Sequence, residues 1–117
     1  MKYEEIHKLI NKICDQIEYT GKEYLYIYGI PHGGLIPAAM IAYRLKIYLV
    51  DNIRRPQDTL IVDDGVFTGK TIKYYQSIYG LHYDIAVLVA RNNTDLITYL
   101  GKKVDDYIIF PWESLKK

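Results

Sequence analysis

The chain has one cysteine, Cys14, in 117 residues. An intramolecular disulfide is therefore excluded, and a cysteine zinc cluster lacks its ligands. Neither sign of charge dominates: 15 Lys and Arg face 14 Asp and Glu, for a formal net charge of +1. Such a balance gives no electrostatic case for nucleic acid or an anionic membrane surface as partner. No apolar run approaches the length of a membrane-spanning helix. The N-terminal "MKYEEIHKLINKI" is charged and amphipathic, without the apolar core of a signal peptide. Internal repeats, low-complexity stretches and linkers are missing too, so residues 1–117 are expected to form a single domain of cytoplasmic type. Tyrosine, by contrast, is abundant, with 13 residues. It is expected on half-buried surfaces and at a subunit interface.

Hydrophobic periodicity supplies the elements. Ile6, Leu9, Ile10, Ile13 and Ile17 recur at helical spacing, which predicts an amphipathic helix over Tyr3 to Tyr19, capped by Gly21. "EYLYIYGI" (Glu23 to Ile30) reads as a strand, broken by "PHGG". "LIPAAMIAYRL" (Leu35 to Leu45) reads as a helix with Pro37 in its first turn, and "KIYLVD" (Lys46 to Asp51) as a second strand. After the polar connector "NIRRPQD", "TLIVDD" (Thr59 to Asp64) is a nearly continuous apolar run, as in a central parallel strand covered on both faces. A helix over Gly69 to Gly80 and a strand over Tyr83 to Ala90 follow. "NTDLITYLG" (Asn93 to Gly101) reads as a short helix capped by Asn93 or Thr94, and "VDDYIIF" (Val104 to Phe110) as a fifth strand. This alternation predicts an α/β fold: a parallel sheet of about five strands flanked by helices. Ligands of such sheets sit outside the carboxyl ends of the strands. Two unusual segments lie at such ends, "GIPHGG" and "DDGVFTGKT".

In the second segment Gly65, Thr68, Gly69 and Thr71 offer flexible backbone, N–H donors and hydroxyls just before a helix. That is a ready site for phosphate. A nucleotide P-loop is ruled out by spacing, because three residues rather than four separate Gly65 from Gly69. Asp63 and Asp64 would also repel a phosphate unless they hold sugar hydroxyls or a bridging metal ion. A ribose phosphate satisfies both halves of the segment: carboxylates for the vicinal hydroxyls, and the following turn for the phosphate. The plainer alternative is a helix cap beside a charged surface turn.

"TLIVDDGVFTGKT" resembles the ribosyl-phosphate signature of the type I phosphoribosyltransferases, and "YIYGIPHGGLIPA" resembles that family's pyrophosphate loop. "DDYIIFPWE" (Asp105 to Glu113) is similar to the base-binding segment of the xanthine-guanine and hypoxanthine-guanine branch. The resemblance implies a magnesium-dependent enzyme of nucleotide salvage. It would transfer the 5-phosphoribosyl group of phosphoribosyl pyrophosphate to a nucleobase, a purine by preference, and release pyrophosphate. It further implies that Asp63 and Asp64 bind the ribose hydroxyls, directly or through Mg2+. Gly65, Val66, Phe67, Thr68, Gly69, Lys70 and Thr71 would wrap the 5′-phosphate. Pro31, His32, Gly33 and Gly34 would hold pyrophosphate, with a cis peptide at Pro31–His32. Arg91 would face the exocyclic oxygen of the base, Tyr107 would stack on the base, and the main chain of Ile108 would read its edge. For Arg91 a solvated surface position is the alternative, and for Tyr107 a place in the core. Trp112 is expected to cover the sheet end or meet a partner subunit, and His7 and His82 to be ordinary surface residues. The family also implies a homodimer.

Three departures from the family pattern stand out. His32 replaces the usual arginine or lysine of the pyrophosphate loop, and an imidazole is only partly charged near neutral pH. Phe67 replaces an acid that assists proton departure from the base, a loss typically worth ~10²–10⁴ in rate, and an aromatic there also resembles the loop of the bifunctional pyrimidine regulators, which leaves the pyrimidine branch open. Only "NIRRPQD" stands where family members carry a long lid that shields the site from water. Arg54 and Arg55 either reach the pyrophosphate in its place or form a solvated turn. These departures keep a second class of function open: a regulatory module that binds phosphoribosyl pyrophosphate or a nucleotide with little or no turnover.

Overall fold

The computed structural model describes residues 1–80, 83–92 and 94–115. The expectations for His82 and for Asn93 as a cap lie outside the described residues. Among the described residues, three α-helices and five strands run in the order α1 (Tyr3–Thr20), β1 (Tyr26–Gly29), α2 (Leu35–Leu45), β2 (Tyr48–Val50), β3 (Thr59–Val66), α3 (Lys70–Tyr79), β4 (Asp84–Ala90) and β5 (Tyr99–Lys103). All the strand pairings are parallel and the sheet order is β2-β1-β3-β4-β5.

Each element follows from its sequence. Helix α1 buries Ile6, Ile10, Ile13, Cys14 and Ile17, one stripe at helical spacing, and ends where Gly21 turns left-handed at φ 70°. Strand β3 is buried over its first five residues, because helices cover the sheet on both sides. Successive side chains of a strand point to opposite faces. Leu60 and Val62 accordingly join the core under α1 and α2, while Ile61 joins the core on the α3 side. Helix α3 is lightly anchored, with Ile72 as its one buried residue.

The last third of the sheet departs from the expectation. The predicted helix over Asn93 to Gly101 shrinks to a 3-10 turn at Thr94–Leu96, and the fifth strand is Tyr99–Lys103 rather than Val104 to Phe110. Pairing with β4 decides this: Thr98 donates its N–H to the Ile85 carbonyl, and its hydroxyl accepts the Ile85 N–H. Gly101 weakens β5 as a sequence signal, yet a Cβ there would lie 2.4 Å from the Leu88 carbonyl oxygen. "VDDYIIF" has the composition of a strand but is irregular from Val104 onward. It crosses back over the sheet and ends in a second 3-10 turn, Pro111–Leu115.

The strand order contains the functional information. From β1 the chain moves outward to β2, then returns to β3 on the other side of β1. The connections after β1 and β3 therefore diverge, leaving a crevice at the carboxyl ends of these neighbouring strands, the usual ligand position in an open α/β sheet.

Candidate active site

Residues 31–34 form the turn between β1 and α2, and the Pro31–His32 peptide bond is cis. Pro31 and His32 are exposed, whereas Gly34 is buried. Gly33 lies flat against β3: a Cβ on it would stand 2.2 Å from Asp64 Oδ2. No side chain larger than hydrogen fits there without moving the acid.

Asp63 and Asp64 lie at the carboxyl end of β3. Being consecutive on a strand, they look to opposite faces. Asp63 borders a hollow of about 220 Å3 with residues 65–72, on the α3 side. Asp64 borders another of about 310 Å3 with His32, Gly33 and the chain's last segment. Gly65, Phe67 and Tyr107 border both. The structure thus brings the two acids, the turn at 31–34 and the segment at 65–71, whose first two residues still belong to β3, to one end of the sheet, on two adjoining hollows.

Each carboxylate is tied to the next peptide. Asp63 Oδ1 accepts the Asp64 N–H at 2.8 Å, and Asp64 Oδ1 accepts the Gly65 N–H at 2.7 Å. Asp63 is only 6% exposed. Burial first, and the charge of Asp64 second, push its carboxyl up to about 8. The carboxyl of Asp63 is therefore harder to ionise than that of an exposed aspartate, while its Oδ1 accepts the neighbouring N–H.

The loop that follows leads directly into the start of a helix. Gly69 takes the left-handed conformation, φ 79°, that opens α3, and the Lys70 N–H points back to the Thr68 hydroxyl at 3.3 Å. The first N–H groups of a helix have no partners in the preceding turn, and they converge here with the positive end of the helix dipole. Lys70 and Thr71 are exposed beside them.

Nothing in a family-model comparison matches this chain. A xanthine-guanine phosphoribosyltransferase of Chromohalobacter salexigens is 27% identical over 135 aligned positions, which take in 97% of this chain and 82% of the relative. That span exceeds the 117 residues available, so the relative carries residues within it that this chain lacks. Among solved structures, a purine phosphoribosyltransferase from Pyrococcus horikoshii superposes with a TM-score of 0.80 at 22% identity, covering 100% of this chain and 94% of the other. A protein from Neisseria gonorrhoeae with bound ppGpp also reaches 0.80, at 21% identity and 98% and 88% coverage. The chain is thus similar in sequence to xanthine-guanine phosphoribosyltransferases and shares its fold with a purine phosphoribosyltransferase.

Set in this phosphoribosyltransferase fold, several side chains depart from their expected positions. Trp112 lies at a sheet end, against an acid of the site itself. Its indole N–H donates to Asp64 Oδ2 at 3.0 Å, and its ring stacks on Phe110 at 5.0 Å with only 3° between planes. Glu113 accepts the Tyr107 hydroxyl at 3.0 Å and the Phe110 N–H at 3.2 Å. Of these two, sequence reasoning left Trp112 outside the site and gave Glu113 no role. The "PWE" tripeptide after an apolar run was the signal available.

The base-side residues are brought together in an unexpected way. The Phe67 and Tyr107 rings are in contact, with centroids 4.6 Å apart. Stacking a base between two rings needs roughly twice the ordinary aromatic spacing, so no base fits between these two. Arg91 also lies over Phe67, its guanidinium carbon 5.9 Å from the ring centroid, with Nε buried and without a hydrogen-bond partner among the described residues. It borders neither hollow. Tyr107 is 58% exposed rather than in the core, and Ile108 is half-buried against the α1 and α2 core.

Arg54 and Arg55 lie away from the site. Arg54 sits over the ring of Tyr26, at the start of β1, and Arg55 pairs with Asp58 at 2.7 Å, just before β3. Both mark the amino ends of the strands, opposite the crevice, and the solvated turn is the reading that fits. His7 is exposed, as expected.

Proposed function

We propose that the protein transfers the 5-phosphoribosyl group from phosphoribosyl pyrophosphate to a nucleobase, a purine of the guanine, xanthine or hypoxanthine kind, releasing pyrophosphate for nucleotide salvage. The observation that carries this reading is the placement of two adjacent acids at a strand tip, between an anion-binding helix start and a second tight turn. In this reading Gly65 to Thr71 hold the 5′-phosphate, and Asp63 and Asp64 engage the ribose hydroxyls. Pro31 to Gly34 receive the pyrophosphate.

A nitrogen of the base attacks the anomeric carbon as the bond to the pyrophosphate oxygen breaks. The bonding electrons leave with pyrophosphate, and the proton of the attacking nitrogen passes to water, since Phe67 offers no base. No covalent intermediate is required; the work lies in positioning and in stabilising charge. Asp63 and Asp64 offer hard oxygen donors that suit Mg2+, an ion that binds through one or two carboxylates plus substrate phosphates. When bound, it would neutralise the charge of the pyrophosphate. We place the protein in the cytoplasm as a single domain; among the described residues no helix is long and apolar enough to cross a membrane. The exposed apolar side chains at β2 and on α3, including Tyr48, Tyr74 and Ile78, suit a homodimer.

The contact of Phe67 with Tyr107 favours a second reading, a module that binds the ribosyl phosphate or a nucleotide without turnover. One assay separates the two. The protein is mixed with phosphoribosyl pyrophosphate, Mg2+ and a panel of bases, and pyrophosphate release is followed. Base-dependent release that Asp64→Ala abolishes supports the enzyme. Tight binding with no release from any base supports the module.

A further inference from the structure

We propose that Trp112 is a positioning residue of the site, whose indole N–H fixes the carboxylate of Asp64 for the ribose hydroxyls. The inference rests on the ribosyl-phosphate reading of the site and adds a residue to it. Asp64 is held from three directions. Its Oδ1 accepts the Gly65 N–H, its Oδ2 accepts the Trp112 N–H, and Gly33 leaves no room for the carboxylate to swing towards the turn at 31–34. A carboxylate with one oxygen bonded on each side has a defined plane, and its remaining lone pairs face the hollow. A hydrogen bond from a neutral donor to a carboxylate is among the stronger contacts a partly buried site can make.

Trp112 is itself immobilised. Its ring lies parallel on Phe110, which is 1% exposed, and the turn from Phe110 to Glu113 is closed by two hydrogen bonds between these residues. Glu113 also holds the hydroxyl of Tyr107. The last segment thus joins an acid at the strand tip to the aromatic ring beside the second hollow. This explains why an irregular segment crosses the carboxyl ends of the strands instead of extending the sheet.

The test is a double-mutant cycle on the affinity for ribose 5-phosphate with Mg2+, measured by calorimetry. Trp112→Phe keeps an aromatic ring facing Phe110 and removes the N–H together with the rest of the five-membered ring. The expected result is about a tenfold weaker affinity in an otherwise normal background, with an unchanged melting temperature, and no further loss when Asp64 is already alanine. Equal affinity in Trp112→Phe and the unaltered protein overturns the inference alone. So does an equal loss in both backgrounds, which marks a structural role. Because the chain has a single tryptophan, its indole N–H gives one resolved NMR resonance that serves if a variant fails to fold. In the unaltered protein that resonance should move on titration with the sugar phosphate. Binding without such movement counts against the inference. Absence of any sugar-phosphate binding by the unaltered protein overturns the functional reading, and this inference with it.

Discussion

Replacing Asp63 with asparagine should make the protein more stable and its ligand site worse. The side chain is 6% exposed, and burial with the neighbouring charge of Asp64 lifts its carboxyl to about 8. In an unfolded chain the same group titrates near 3.9. Because the folded value is the higher one, the contribution of this group to stability is fully present below about pH 4. It is lost progressively as the pH rises through about 8. Each pH unit of that window is worth about 1.4 kcal/mol at most. Counting roughly a third of the maximum, because relaxation and water entry raise the effective dielectric, leaves about 2 kcal/mol near pH 8. Asparagine keeps an oxygen for the Asp64 N–H, which Asp63 Oδ1 accepts at 2.8 Å, and adds no charge. In a chain of this size 2 kcal/mol corresponds to about 8 °C in Tm. Thermal melts of Asp63→Asn and the parent at several pH values check this. The advantage of the variant should be greatest at pH 8 and close to nil at pH 4, while its affinity for ribose 5-phosphate with Mg2+ falls. A variant no more stable than the parent at pH 8, or one with the same advantage at every pH, would refute the reasoning.

The connector between β2 and β3 gives a negative expectation. Arg55→Ala should leave sugar-phosphate affinity unchanged and cost under about 1 kcal/mol, because its partner is Asp58 at the opposite end of the sheet. A tenfold loss of affinity would return the connector to the site. Phe67→Ala should open space beside Tyr107 and Arg91, both of which lie against its ring, and speed base-dependent pyrophosphate release severalfold. A slower variant in the same assay would make Phe67 part of the base site rather than its obstruction.

The parts of this molecule legible in its sequence are those fixed by periodicity and by backbone chemistry. The stripe from Ile6 to Ile17 specified α1, and the buried run ahead of Asp63 specified a central strand. The glycines and threonines of 65–71 needed only their own backbone demands to suggest a turn ahead of a helix. What misled was competition between local preference and pairing. Residues 99–103 contain a glycine and two lysines and look poor as a strand, yet β4 offered a free edge and Thr98 joined it. Lys102 and Lys103 lie exposed on β5 at the sheet border, where charge discourages pairing with another chain. Trp112 was misplaced for a different reason. Its partner, Asp64, is 48 residues away in sequence. No local pattern encodes a contact of that range; it follows from where the last segment crosses the sheet.

That crossing bears on the missing lid. A site that forms an electron-poor sugar carbon must keep water away from it. The connector of 51–58 cannot do so, since its arginines are engaged at the far end of the sheet. The rings that border the hollow beside Asp64 belong to Phe67, Tyr107, Phe110 and Trp112, and three of the four come from the last segment. Aromatic cover is therefore supplied largely by the last segment, over the hollow that Asp64 shares with His32 and Gly33. Tyr107, 58% exposed, still presents a ring face on which an incoming base could stack. In that arrangement the acceptor would complete the enclosure of the reacting carbon, so that shielding would be assembled by the substrate and not by a closing loop.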